Sequence, residues 1–208
     1  MKKNIVLLDI KMGNVDSIIK AVEYNGYKCK LSNSRKDLEK SDIIILPGQG
    51  AFDSAMKNIR NLKIDQTLIE KSKDKTLFLG ICLGMHLMAD FGYENNKKTR
   101  GLGLINGEVK ILPKKKIKIP HLGWNEVKFK KKDKILMDIS NKKDFYFLHS
   151  YYFDLKYKKN LIATSNYGIN FPSIIKDKNI YGVQFHPEKS LWAGVNLIKN
   201  FIELSEKN

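Results

Sequence analysis

Cysteine is scarce. The 208-residue chain has two, Cys29 and Cys82, which is too few for a disulfide framework. Arginine is scarcer still in proportion to charge: only Arg35, Arg60 and Arg100 stand beside thirty-five lysines. Reading of base edges favours arginine, whose planar fork pairs bidentately with guanine. The runs Lys114–Lys116 and Lys130–Lys132 carry no interleaved aromatics to stack on bases. The formal net charge of +16 therefore reads as a lysine-rich solvated surface, with a nucleic-acid-binding domain kept as the competing class. Long apolar runs are also missing. The longest near the N-terminus is Ile5–Leu8, far short of the ~20 residues of a membrane span. Met1-Lys2-Lys3 has the charge of a secretory n-region, but Asp9 ends the apolar run and no small-residue cleavage site follows, so the chain is expected in the cytoplasm. No cofactor signature is present: Gly101-Leu-Gly-Leu-Ile105 lacks the third glycine of a phosphate-binding loop.

What is present is a foldable core. Hydrophobic residues make up 42% of the chain, which excludes global disorder, and the length suits a single domain over 1–208. Asn4–Ile10, Tyr27–Leu31, Asp42–Leu46 and Thr76–Ile81 read as short strands. Between them, Val15, Ile18, Ile19 and Val22 fall on one helical face, closed by Asn25-Gly26. Ser34 caps a short helix, a helical stretch runs through Leu62, Leu68 and Ile69, and Leu83–Phe91 is a further helix. Strands alternating with helices predict an α/β fold with an open, mostly parallel twisted sheet flanked by helices. After Gly101 short strands dominate, at Val109–Leu112, Glu126–Phe129, Phe145–Leu148, Leu161–Thr164, Ser173–Ile175 and Ile180–Phe185. This half is expected to be mixed or antiparallel. Leu191, Val195, Leu197, Ile198 and Phe201 give a last helix.

The sharpest motif is Gly80-Ile81-Cys82-Leu83-Gly84. It leaves a buried strand and opens a helix, the layout of a nucleophile elbow. The glycines permit the tight turn, the helix start favours a thiolate, and the Leu83 N–H can hold a developing oxyanion. A plain buried cysteine at a strand end is the competing reading; Cys29, without glycines, reads as structural. Phe185-His186-Pro187-Glu188 follows the last apolar strand. Pro187 holds His186 extended, so residues 186 and 188 point to one side. Glu188 can then fix the tautomer of His186 and leave its other nitrogen for a thiol. One His and one Glu are too few for a metal.

These residues carry a resemblance. Gly-Ile-Cys-Leu-Gly-Met at 80–85 and Gln-Phe-His-Pro-Glu-Lys-Ser at 184–190 are similar to the class I, triad-type glutamine amidotransferases. More narrowly, the chain resembles the glutaminase subunits of imidazole glycerol phosphate synthases. That likeness includes Gly13-Asn14, Pro47-Gly48-Gln49-Gly50-Ala51-Phe52, Gly101–Ile105, the specific block Pro120-His121-Leu-Gly-Trp-Asn125, and His149-Ser-Tyr-Tyr152. The resemblance implies a Cys82–His186–Glu188 triad that turns L-glutamine into glutamate and ammonia through a thioester, with no cofactor and no metal. It implies an oxyanion hole from Leu83, Gln49 and Gly50, and contacts to glutamine from Gly48, His86, Ser150 and Tyr151. It also implies a heterodimer with a (β/α)₈-barrel cyclase that receives the ammonia for histidine biosynthesis, with Asn14, Trp124 and Lys189 near the interface.

Three positions depart from the family. His86 stands where the family usually has Gln, one turn beyond Cys82; either a substrate contact or an ordinary wall histidine is open. Lys11 replaces a usual Gly, and Gln49 a small apolar residue. Two further readings stay open: a paralogue that feeds ammonia to a cyclase-like partner in surface-polysaccharide sugar biosynthesis, and a catalytically weak binding subunit. His121 and His149 have no carboxylate at motif spacing and read as structural. Trp124 and Trp192 read as core or interface aromatics, with Trp124 expected at the partner surface.

Overall fold

The computed structural model describes residues 3–94, 97–115 and 117–206. Met1, Lys2 and Lys116, part of the segments considered above, lie outside the described residues. In the first half, β1 (Ile5–Leu8), α1 (Val15–Tyr24), β2 (Cys29–Ser32), α2 (Arg35–Glu39) and β3 (Ile43–Leu46) lead to α3 (Phe52–Asn61), α4 (Asp65–Lys73), β4 (Leu77–Ile81) and α5 (Leu83–Leu87). Strands then predominate: β5 (Phe91–Glu94), β6 (Lys97–Arg100), β7 (Gly107–Ile111), β8 (His121–Phe129), β9 (Lys143–His149), β10 (Tyr151–Leu155), β11 (Leu161–Asn166), β12 (Asn170–Asp177) and β13 (Ile180–Val183). The helix α6 (Leu191–Glu203) follows.

Nine strands form one sheet in the order β2-β1-β3-β4-β13-β12-β11-β8-β9. The pairs from β2 through β13 are parallel, and those from β13 through β9 antiparallel. This is the parallel-then-antiparallel sheet that the strand pattern predicts. β1, β3 and β4 are buried along their whole lengths because helices cover both faces. Their side chains alternate between two cores. Ile5, Leu7, Ile43 and Ile45 pack on the side of α1 and α6 with Phe145, Phe147, Phe171, Phe185 and Phe201. Val6, Leu8, Ile44 and Leu46 pack on the side of α3 and α5 with Phe52 and Phe153. Each such aromatic contributes roughly 1.5–3 kcal/mol by leaving water.

Three local expectations change. The helix expected over Leu83–Phe91 ends at Leu87, and Phe91 begins β5. Asp90 is the cause: its backbone N–H donates to Gly107, its carbonyl accepts from Gly101, and its carboxylate accepts from the Gly107 N–H at 2.9 Å. These cross-chain bonds replace the next helical turn. The single helical stretch through Leu62 and Ile69 is instead two helices, broken where Lys63 turns to φ 56°. Finally, β5, β6, β7 and β10 make a second sheet in the order β10-β7-β5-β6. Its partly exposed strands lack a clean apolar alternation, so the pattern did not reveal it. No helix among the described residues is long and apolar enough to cross a membrane.

Candidate active site

Cys82 sits between β4 and α5 at φ 52°, ψ −109°, a left-handed conformation that costs a non-glycine residue about 1–2 kcal/mol. The surroundings hold it there. Its N–H donates to the Val183 carbonyl at 2.8 Å, and its carbonyl accepts from the His86 N–H at 3.1 Å. The flanking glycines are steric necessities. A methyl on Gly84 would meet the Leu46 carbonyl oxygen at 1.9 Å, and one on Gly80 would meet the Gly84 carbonyl oxygen at 2.6 Å. The chain therefore doubles back tightly and places Cys82 and Leu83 at the carboxyl end of the central strand β4.

β13 lies beside β4 in parallel register, with Gly182 opposite Gly80 and Val183 opposite Ile81. The two strands thus end level, which brings His186 to Cys82. The His186 N–H donates to the Tyr146 carbonyl at 2.8 Å, fixing the backbone. Its ring Nδ1–H donates to Glu188 Oε1 at 2.8 Å, with both side chains 2% exposed. Burial works against a charged ring, but the Cys82 sulfur and the Glu188 carboxylate outweigh it and raise the His186 pKa to about 10. Nε2 is buried without a hydrogen bond in the structure; with Nδ1 committed to Glu188, it is the nitrogen left for proton transfer.

A cavity of about 430 Å³ opens on the sulfur. It is lined by Gln49, Gly50, Cys82, Leu83, His86, Glu94, Leu148, His149, Ser150 and Tyr151, among others. Seven of the expected site residues thus share one space. His186 and Glu188 are not on its lining, and neither is Gly48. Gly48 lies beneath the elbow, where an added methyl would meet the Leu83 Cβ at 2.6 Å and the Gly84 N at 2.9 Å, so it sets how closely the 48–50 loop approaches Leu83. Gly13, at φ 93°, brings the first loop to within 3.2 Å of the Gln49 N, measured from an added Cβ. Lys11 adopts φ 59°, which explains why glycine is usual there in the resembling family; its ammonium pairs with Asp9 at 2.7 Å.

Glu94 is a pocket residue that sequence reasoning missed. Its Oε2 accepts from the Phe52 N–H at 2.8 Å, and burial raises its pKa. It offers a carboxylate to a cationic ligand group. Its strand was not recognised in the sequence, so nothing placed it near Cys82.

The two histidines read as structural form a directed chain. Asn125 donates to His121 Nε2 at 3.2 Å, His121 Nδ1 meets His149 Nε2 at 2.9 Å, and His149 Nδ1 donates to the Tyr151 carbonyl at 2.8 Å. Burial lowers their pKa values to about 4 and about 3, so both rings stay neutral. The chain braces one wall of the pocket. Cys29 lies apart in β2, its thiol pushed up to about 11 by burial, consistent with an inert role. Among the described residues no group of three or more His, Cys, Asp or Glu is placed to hold a metal ion.

Of the residues expected at an interface, Trp124 is 51% exposed and stacks edge-on against Tyr146 at 6.0 Å. The Lys189 ammonium stands 5.8 Å from the same ring. Asn14 is exposed at the start of α1, which packs on the turn Pro187–Lys189. Trp192 is also a surface residue, at 61% exposure. A wider groove of about 1030 Å³ lies on the lysine-rich face between Phe129 and Leu204 and contains none of the candidate catalytic groups.

Residues 6–204 match the family model of glutamine amidotransferase class-I, and the chain belongs to that family. Its curated relatives include the imidazole glycerol phosphate synthase subunit HisH 2 of Methanococcus maripaludis, 44% identical over 201 residues, covering 96% of this chain and 98% of the relative. The subunit HisH 1 of Campylobacter jejuni is 43% identical over 203 residues, covering 96% and 100%. The subunit HisH of Listeria monocytogenes is 39% identical over 201 residues, covering 96% and 95%. Among solved structures, PurLQS from Thermotoga maritima superposes with a TM-score of 0.75 at 16% identity, covering 98% of this chain and 99% of that one. A glutamine amidotransferase from Thermotoga maritima gives 0.71 at 17% identity, covering all of both chains.

Proposed function

We propose that this chain is the glutaminase subunit of an imidazole glycerol phosphate synthase, a single-domain enzyme that hydrolyses L-glutamine and supplies ammonia for histidine biosynthesis. The observation that carries this reading is the buried His186–Glu188 pair set against Cys82, whose sulfur opens on the 430 Å³ cavity, in a chain 39–44% identical to the named subunits over nearly its whole length.

The chemistry follows from the geometry. Cys82, as thiolate, attacks the side-chain amide carbon of glutamine. The oxyanion is held by the Leu83 N–H and by an N–H of the Gln49–Gly50 loop, each such donor being worth about 10²–10³ in rate. His186, charged and steadied by Glu188, gives its proton to the departing nitrogen, and ammonia leaves behind a thioester. Water then attacks, His186 takes its proton back, and glutamate is released with the thiolate restored. The Glu94 carboxylate suits the α-ammonium of glutamine, with the Ser150–Tyr151 backbone and His86 as the remaining contacts. Ammonia passes to a cyclase partner of the (β/α)₈-barrel type, which docks near Asn14, Trp124 and Lys189 in a heterodimer and keeps the product from protonation in bulk water.

One observation favours keeping a second reading. Two relatives carry numbered names, HisH 2 and HisH 1, which suits a paralogue with the same triad and a different ammonia acceptor, such as a polysaccharide sugar precursor. The deciding experiment is glutamate release from glutamine by the chain alone, then with each candidate cyclase and its acceptor, with Cys82→Ala as control. Turnover that depends on Cys82 and rises with the partner establishes the glutaminase, and the stimulating acceptor assigns the pathway. No turnover in any mixture, with the complex still forming, leaves a binding subunit.

A further inference from the structure

His86 and Gln184 are both buried, at 4% and 0% exposure, and neither belongs to the triad. His86 Nε2 lies 2.7 Å from Gln184 Oε1. Gln184 Nε2 in turn lies 3.9 Å from the Cys82 sulfur. Burial lowers the His86 pKa to about 4, so the ring is neutral at pH 7 and carries one proton. A carbonyl-type oxygen at Nε2 demands that the proton sit there. The ring then holds Gln184 Oε1 as an acceptor, and the amide has one orientation left, with its N–H groups turned to sulfur. Gln184 lies just past the end of β13, two residues before His186, and its amide and the His186 ring both approach the Cys82 sulfur. The segment that leaves β13 thus delivers both a base and an amide donor to one sulfur.

Besides His186, whose ring bears on the sulfur directly, the sulfur's other polar neighbour is the Leu148 carbonyl at 3.7 Å. A carbonyl can only accept, so it favours the S–H form; an amide N–H favours the thiolate. Which form the site prefers therefore depends in part on which end of Gln184 faces the sulfur. We propose that His86 is a positioning residue that, by donating to Gln184, aims the Gln184 amide N–H at Cys82 and favours its thiolate. Glutamine at position 86 would break this selection, because an amide can donate to or accept from Gln184 equally well. The inference rests on Cys82 being the nucleophile.

The test is the pH dependence of Cys82 alkylation by iodoacetamide in the full chain. This small probe needs no glutamine and no partner. His86→Leu and Gln184→Leu should each slow alkylation at pH 7 about three- to tenfold, as befits one long hydrogen bond to a charged sulfur, and move the pH midpoint upward. The double variant should be no slower than Gln184→Leu alone, because His86 acts through Gln184. His86→Gln should fall between wild type and His86→Leu. Additive losses, or unchanged midpoints with only a raised KM for glutamine, would overturn the relay. So would a ¹⁵N NMR spectrum of the wild-type chain with the His86 proton on Nδ1, a measurement that needs no variant to fold. A wild-type Cys82 that alkylates no faster than Cys29 would instead sink the nucleophile itself, which separates the two failures.

Discussion

Gly84→Ala probes the elbow at its tightest point. The added methyl carbon would stand 1.9 Å from the Leu46 carbonyl oxygen and 2.7 Å from its carbonyl carbon. Real Cβ atoms essentially never approach a heavy atom within 3.0 Å, so β3 and α5 must part by at least about 1.1 Å. The obstacle is backbone. Leu46 is fully buried and pairs with Gly80 in the sheet, so no side-chain rotation relieves the contact. Overpacking of this kind costs about 2–4 kcal/mol. The same displacement carries Cys82 and the Leu83 N–H away from their partners, and a shift near 1 Å costs about 10²-fold in rate. Gly26→Ala is the control: it sits at φ 80° with nothing within 4 Å of the added methyl, so it should lose only about 1 kcal/mol for its left-handed backbone. Urea unfolding and iodoacetamide labelling of Cys82 read both effects. The expected result is a lower urea midpoint for both variants and slowed labelling for Gly84→Ala alone. A Gly84→Ala protein that unfolds at the wild-type midpoint and labels at the wild-type rate would refute the steric reasoning.

Glu188→Gln removes the buried charge that steadies His186 and should lower kcat/KM for glutamine by about 10²-fold or more; a loss under threefold in the glutamate-release assay would count against the triad. Acid should destabilise the fold through His86 and His149, whose native pKa values of about 4 and about 3 lie below the ordinary 6.5. The unfolded chain takes up their protons first, so their contribution is level above pH 6.5 and falls as pH drops from 6.5 toward 4, by on the order of 3 kcal/mol from His86 alone. His186 has the opposite sign: its raised pKa of about 10 contributes stability that is fully present below pH 6.5 and lost as pH rises through 10. Urea midpoints at pH 6.5, 5.5 and 4.5 check the acid limb, and a flat profile contradicts it. Trp124→Ala should weaken binding of the cyclase partner about tenfold or more while Cys82 labelling stays unchanged; equal affinities in a titration would remove Trp124 from the interface.

Several features of the site are local enough to be written in the chain itself. Gly80 and Gly84 bracket Cys82 because only glycine survives 1.9–2.6 Å approaches, and that requirement shows in any sequence that makes the turn. His186 and Glu188 meet at 2.8 Å through local geometry, although not the continuous extended backbone that the spacing predicts: His186 is extended, and Pro187 opens a 3₁₀ turn over Pro187–Lys189 that carries Glu188 to the ring. The alternation of buried strands with α1, α2 and α3 likewise announced the parallel half of the sheet. Other features depend on which distant strands become neighbours. Cys82 meets His186 only because β13 inserts beside β4 with Val183 level with Ile81, and no periodicity in either strand encodes that register. Glu94 reaches the pocket through a second sheet whose strands carry weak apolar patterns. His121 and His149 pair because β8 and β9 place them directly opposite. His86 touches Gln184 across 98 residues of chain. The sequence by itself determined the turn, the His–Glu pair and the two-faced burial of the central strands, because these need only local backbone geometry and hydrophobic alternation. The tertiary structure alone decided the shared pocket, the neutral histidine chain and the amide aimed at the sulfur, because side-chain contacts between remote segments exist only once sheet order and register are set.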